Sequence, residues 1–267
     1  LLSEDLDTTD THTFQQVGTA EVSTENDAEV SDLSVVVNVD GTYTVDGNFD
    51  ELAEGEVGTV TFQYTATDDS DTENSVSEPQ TVTLSVTGTN DRPKIESIDK
   101  KGFLTEEDGK ATISDNGSIT FSDLDVSDTH TFVTSAKGNP SWSDGDLSKS
   151  QITKLKKGFS LESDDENDTA TWTYETSQKL DFLGENETIT LQFKVKVKDD
   201  SGVGKGDEDN EKSSSVNKVV TITITGTNDQ PIISDVAISA TETGGFEEIF
   251  AGTLALTKDL DANDTHT

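Results

Sequence analysis

The 267-residue chain has no cysteine and no methionine, two tryptophans, three tyrosines and four prolines, and 18 basic residues against 55 acidic ones. Without cysteine, disulfides and thiolate zinc sites are excluded, so stiffness must come from packing, strand pairing or an oxygen-ligated metal. No stretch approaches the roughly 20 apolar residues of a membrane span. The start "LLSEDLD" has neither the basic n-region nor the apolar h-region of a secretory signal. It also lacks an initiator methionine, and we expect a piece cut from a longer polypeptide. The shortage of bases excludes more: a formal charge of −37 repels phosphate backbones and anionic lipid, so neither nucleic acid nor membrane insertion is expected. Small cations are the better partners. With 30% apolar side chains, two modest cores are the ceiling, and charge alone favours disorder in a chain this acidic unless something, such as bound divalent ions, neutralises its carboxylates as it folds.

What the chain does have is repetition. "DLDTTDTHT" at 5–13 returns as "DLDVSDTHT" at 123–131 and "DLDANDTHT" at 259–267, separations of 118 and 136, and these copies hold all three histidines. "TGTNDRP" (87–93) and "TGTNDQP" (225–231) lie 138 apart. From each Asn-Asp-x-Pro to the next triplet the interval is nearly constant, 32 residues after Asp91 and 30 after Asp229. With no histidine outside the repeats to serve a nucleophilic serine, a Ser-His-Asp hydrolase is not expected. Pairs of acids for glycoside hydrolysis arise by chance among 55, and we expect no enzyme.

Local patterning is that of strands, without helical periodicity. "TVTFQYTA" (59–66) and "TITLQFKVKV" (188–197) alternate with period two. In the second, Ile189, Leu191, Phe193, Val195 and Val197 face one way and Lys194, Lys196 and Lys198 the other, as on a sheet with one wet face. "VVVNVDGTYTV" (35–45) carries a hairpin turn at Asp40-Gly41. Seven strands are expected in the complete unit: near 94–104, 111–121, 129–134, 158–162, 169–176, 188–198 and 216–225. That spacing favours an all-β, Ig-like Greek-key sandwich. The expected domains are residues 1–91, an incomplete repeat lacking its first two strands; 92–229, a complete repeat with an insertion near 135–158; and 230–267, the first two strands of a further repeat.

Strand alternation then converges the acids. Strand one descends from Asn90-Asp91 and strand two returns, leaving Asp123, Asp125 and Asp128 at the upper end. The sixth strand ends there too, with Asp199-Asp200. Asp68 and Asp69 of "TATDDSD" are the candidates in the first unit, and Asp5, Asp7 and Asp10 form its triplet. At the lower end, Glu106, Glu107 and Asp108 of "TEEDG" and Glu185 and Glu187 of "LGENE" face Asn228-Asp229. The last triplet is Asp259, Asp261 and Asp264. Carboxylates gathered this way repel one another unless compensated, and hard oxygen donors at a loose, polydentate site suit Ca2+ over transition metals. The spacing is not that of an EF-hand, nor of glycine-rich nonapeptide β-rolls. His12, His130 and His266 are expected to be structural partners of the acidic loop rather than ligands.

"TEEDG", "DLDVSDTHTF", "KVKDDSG" and "TITITGTNDQP", in that order, resemble the VCBS-type, cadherin-like repeats of large bacterial RTX adhesins secreted by type I systems, over essentially the whole chain. The resemblance implies tandem Ig-like sandwiches with calcium at their junctions. It also implies an extracellular role on the bacterial cell surface, as the stalk that projects adhesive domains for attachment and biofilm formation. The partners are then neighbouring repeats of the same polypeptide. One departure is that Thr89 or Thr227 precedes Asn-Asp, where the cadherin linker carries an acidic residue.

The insertion "SAKGNPSWSDGDLSKSQITKLKKG" (135–158) holds Trp142 and suggests an alternative, a glycan- or protein-binding module, against the simpler expectation that Trp142 packs on its own sandwich. The acidic stretch "GDEDNE" (206–211) lies in a long loop before the last strand. Because 232–267 supplies the two strands that 1–91 lacks, strand donation between truncated chains is a further expectation.

Overall fold

The computed structural model describes residues 9–70, 72–73, 75–107, 110–201, 213–237, 239, 254 and 256–264. Asp5, Asp7, Asp108, His266 and the 206–211 stretch lie outside the described residues. The chain divides into two compact units. One is Leu1–Lys94 with Phe121–Thr131 and Val197–Val216; the other is Ile95–Thr120, Phe132–Lys196 and Asn217–Thr267.

The first unit holds β1 (His12–Thr24), β2 (Ser31–Val37), β3 (Tyr43–Asn48), β4 (Val57–Asp68) and β5 (Gln80–Thr87). β1, β4 and β5 form one antiparallel sheet in that order, and β2 pairs with β3. Period-two alternation along β4 buries Val60 and Phe62. The hairpin turn forms where expected: Gly41 sits at φ 83°, a conformation that costs glycine nothing, and Asp40 Oδ1 accepts from the Thr42 N–H at 3.0 Å.

The following strands are β6 (Lys94–Ile98), β7 (Lys101–Thr105), β8 (Ile113–Ser122), β9 (Thr131–Ala136), β10 (Ser141–Trp142), β11 (Phe159–Asp164), β12 (Thr169–Thr176), β13 (Thr188–Lys198), β14 (Lys218–Thr225), β15 (Ile232–Ile233) and β16 (Leu256–Lys258). One sheet runs β10-β13-β14-β7 with β9 also on β13, the other β11-β12-β8-β6. Their inner faces supply one all-β sandwich core. Trp172, Tyr174, Ile119, Ile189, Ile222 and Ile224 are fully buried, and Phe159 stacks between Trp172 (5.9 Å) and Phe193 (4.4 Å). On β13 the five apolar residues are buried and the lysines half-exposed, as the alternation requires.

Two expectations are corrected. The single strand expected near 94–104 is two, because the chain changes sheets after Ile98. β6 lies at the edge of one sheet, while β7 pairs in parallel with β14 in the other. Asp99 fixes the crossing: its carboxylate accepts from Ser118 N–H at 2.8 Å, and its carbonyl from Trp172 Nε1 at 2.8 Å. The insertion also contains a helix, α1 (Lys149–Leu155), where none was expected. A capping box between Ser148 and Gln151 starts it, satisfying two otherwise orphaned donors, and Leu155 is buried beneath it.

Candidate metal centres

In the first unit, three loops and the linker come together. Asp125, 1% exposed, accepts the Asp91 N–H on Oδ2 at 2.7 Å. Asn90 Nδ2 reaches Asp199 Oδ2 at 3.5 Å and also donates to the Asp91 carbonyl. Carboxylate oxygens of Asp123, Asp128 and Asp199 all lie within 4.8 Å of one another. Asp123 and Asp199 are each held from behind. His130 Nε2 meets Asp123 Oδ2 at 2.9 Å, its ring 4.9 Å from Phe121, so the histidine supports the acidic loop as expected. Ser201 donates through N–H and Oγ to Asp199 Oδ1. Thr129 donates to both oxygens of the exposed Asp200, which ties that carboxylate to the acidic loop.

Buried oxygens here with no hydrogen-bond partner among the described residues include Asp125 Oδ1 and Asp128 Oδ2. Burial pushes Asp125 up to about 7, with Asp128, Asp123 and Asp91 adding repulsion. Burial, then Asp199 and Asp200, push Asp128 up to about 6. Asp91 is raised too, by burial and by Asp50 and Asp123. Burial first, and neighbouring acids after it, disfavour the ionised form here, so a cation that compensates the charge would relieve the site. The donor set is entirely hard oxygen, which fits Ca2+.

The same arrangement recurs in the second unit. Asp261 Oδ2 accepts the Asp229 N–H at 2.9 Å, Asn228 Nδ2 donates to the Asp229 carbonyl at 2.9 Å, and Asp261 N–H reaches Asp259 Oδ1 at 3.1 Å. Asp261 Oδ1 is buried with no hydrogen-bond partner among the described residues, and burial raises its acid's pKa. Glu106, 4% exposed, accepts from Thr227 Oγ1 at 3.0 Å. Glu107 instead faces solvent and pairs with Lys110 at 3.3 Å. Asp264 is exposed, near Gly184. Asp68 and Asp69 repeat the supports seen at Asp199 and Asp200: Ser70 donates to Asp68 Oδ1 and Thr11 to both oxygens of Asp69. Asp10 of the first triplet is half-buried.

Sequence reasoning missed Glu54 and Glu56. Glu56 Oε1 accepts from Ser127 Oγ at 2.6 Å and from Asn26 Nδ2, while Glu54 accepts the Asn90 N–H at 3.1 Å. They match Glu185 and Glu187 as Glu-Gly-Glu to Glu-Asn-Glu, with left-handed Gly55 (φ 83°) and Asn186 (φ 64°) in the middle. Aligning the turns before β4 and β13 would have found them. Trp142 packs on its own sheet, as the simpler expectation had it. Its ring lies edge-on 4.9 Å from Phe182, and Nε1 donates to Glu187 Oε2 at 2.9 Å.

No family model matches the chain, and no curated protein matches it. Solved structures with similar strand arrangement include Drosophila N-cadherin EC1-4, with 15% identity, TM-score 0.39, and 85% of this chain and 44% of that one covered. Protocadherin gamma B7 extracellular cadherin domains 1-4 follow, with 14% identity, TM-score 0.34, and coverages of 81% and 44%. CfaE, the adhesive subunit of the CFA/I fimbria of enterotoxigenic Escherichia coli, shows 9% identity, TM-score 0.34, and coverages of 68% and 62%. The chain spans less than two thirds of each of these proteins. At such TM-scores no ligand, residue role or partner carries over.

Proposed function

We propose that this chain is a calcium-stiffened extender of a bacterial cell-surface adhesin, built of VCBS-type, cadherin-like repeats and exported by a type I, RTX-class route. Its role is to hold adhesive domains away from the cell for attachment and biofilm formation. The observation that carries this reading is Asp125: one oxygen is fixed by the linker's Asp91 N–H, and the other is buried with no hydrogen-bond partner beside Asp128. Candidate ligands at the first centre are Glu56, Asn90, Asp91, Asp123, Asp125, Asp128 and Asp199. Those at the second are Glu106, Glu187, Asn228, Asp229, Asp259, Asp261 and Asp264. Bound Ca2+ would supply the positive charge that these carboxylates lack.

The chain's own residues do the remaining work. Linker amides clamp Asp125 and Asp261, and His130, Ser201 and Thr129 preset the neighbouring acids, so little reorganisation accompanies binding. A cation shared by linker and loops removes the linker's freedom and turns a string of repeats into a rod. Extracellular modules bind calcium at roughly 10⁻⁴ to 10⁻³ M, which suits a chain that stays pliant in the cytosol and stiffens after export.

Small-angle scattering and thermal melting, in chelator and in millimolar Ca2+, test this reading. A longer, stiffer particle that melts higher in calcium is expected. An unchanged particle and midpoint would reduce the acids to solvated turns.

A further inference from the structure

The insertion 135–158 has no part in the reading above, yet it ends on the second centre. Trp142 is fixed from several sides. β10 pairs with β13 through Ser141 opposite Thr190 and Trp142 opposite Ile189. Ser143 and Thr188 exchange two hydrogen bonds, at 2.9 and 2.8 Å. Phe182 meets the ring edge-on. Gly145 covers its face so closely that a Cβ there would fall 2.5 Å from the ring. The indole N–H of this immobilised ring points at Glu187 Oε2, 2.9 Å away. The Gly184 N–H shares that oxygen at 3.2 Å, and Asn263 Nδ2, from the last triplet, takes Oε1 at 3.3 Å. Asn263 also donates to the Asp144 carbonyl of the insertion at 3.0 Å.

At the first centre the matching Glu56 is held differently. Its side-chain partners are Ser127 and Asn26, and Asn26 is an exposed residue at φ 54° in a three-residue turn. The segments that follow β1 and β9 therefore each send one donor, Asn26 or Trp142, to the matching glutamate. In the complete repeat that donor is a rigid, sheet-braced indole.

We propose that the 135–158 insertion is a brace for the second centre. Trp142 is its positioning residue, fixing Glu187 toward a divalent cation so that this centre binds more tightly than the first. This rests on the calcium reading above. Partners that orient a metal ligand typically carry a 10- to 100-fold share of affinity. Trp142→Phe keeps an aromatic ring at this position, smaller than the indole, and removes the N–H, so we expect roughly tenfold weaker Ca2+ at the second centre, the lower end of that range, and no change at the first.

The test is a Ca2+ titration of the whole chain followed by amide shifts, with Asn90 and Asp91 reporting the first centre and Gly184, Asn228 and Asp229 the second. Asn263→Ala, which leaves the ring intact, is expected to weaken the second centre alone. Adding Trp142→Phe to Glu187→Ala is expected to cost nothing beyond Glu187→Ala, because the two act through one contact. In chelator, the Trp142 indole N–H should exchange slowly with solvent, and faster in Glu187→Ala. Unchanged affinity at the second centre in Trp142→Phe, or equal weakening at both centres, would overturn the brace while leaving the calcium reading intact. Absence of any calcium shift in the wild type at either centre would overturn both.

Discussion

Asp125→Asn should change stability in opposite directions in chelator and in calcium. Asparagine keeps an oxygen for the Asp91 N–H, bonded at 2.7 Å in the wild type, but carries no charge. The carboxyl's pKa is raised from 3.8 to about 7. A gap of about three units corresponds to up to about 4 kcal/mol spent in ionising it within the folded protein. In chelator near pH 8 the variant should therefore be more stable, by up to about 4 kcal/mol, or about 2–4 °C in midpoint per kcal/mol for a chain of this size.

The sign of the pH dependence follows. Between the unfolded and folded pKa the folded wild type binds more protons, so its stability rises as pH falls from about 8 toward 4 and is lost again as pH rises through about 7. The variant should lose most of that slope and keep the smaller part that comes from Asp128, raised to about 6. In millimolar Ca2+ the order reverses, because the variant lacks an anionic donor and gains less from the ion. Calorimetric melting across pH, with and without chelator, reads all of this. A lower midpoint for Asp125→Asn in chelator at about pH 8 would refute the reasoning, since the carboxylate would then be stabilising without an ion.

Gly117→Ala would place a Cβ 2.5 Å from the Trp172 ring, and such overpacking should cost about 1–3 kcal/mol with calcium affinity at the first centre unchanged, read by melting and titration. Gly55 should accept Asn, which already occupies the equivalent left-handed position at 186, whereas Gly55→Val should cost roughly 1–2 kcal/mol, because a β-branched residue is strained there. We also propose that copies of this chain associate by strand donation. Among the described residues β5 ends its sheet, while Ile232, Ile233, Val236 and Leu254 are exposed. Sedimentation should show concentration-dependent association, and a strictly monomeric profile at high concentration would sink the idea.

Strand parity brought Asp123, Asp125 and Asp128 beside Asp91 and Asp199, because side-chain period is dictated by local chemistry. Asn90, Asp91, Asp123, Asp125, Asp128 and Asp199 lie in one unit, as do Asn228, Asp229, Asp259 and Asp261 in the other. The sheet change at Asp99 was illegible, because "KIESIDKKGFLT" has no proline or glycine between Ile98 and Lys101 to mark it, and the cause is a tertiary bond from Trp172, far along the chain. Helix α1 has seven residues, too few for a period of 3.6 to declare itself, although its Ser-x-x-Gln cap was written in the sequence. Glu56 was overlooked because acidic residues are so common here that a single one carries no signal; only its match to Glu187 does.

The parallel pairing of β7 with β14 bears on what happens when the segments before β6 and after β14 are pulled apart. β6 follows the incoming linker at the edge of the other sheet and leads into β7, while β14 runs into the outgoing linker, so once β6 has peeled from β8 the load falls on β7 and β14. Their ladder, from Thr221 opposite Lys101 to Thr225 opposite Thr105, lies along the line of tension. The Glu106 N–H to Thr225 carbonyl bond extends it by one rung. A hairpin opened from its free end peels rung by rung, but here every rung is sheared at once and the bonds share the force. Forced rupture follows the unfolding rate rather than the equilibrium stability. We therefore expect this repeat to yield at a high, narrowly distributed force in single-molecule pulling, and Thr105→Pro to lower that force more than it lowers the melting midpoint.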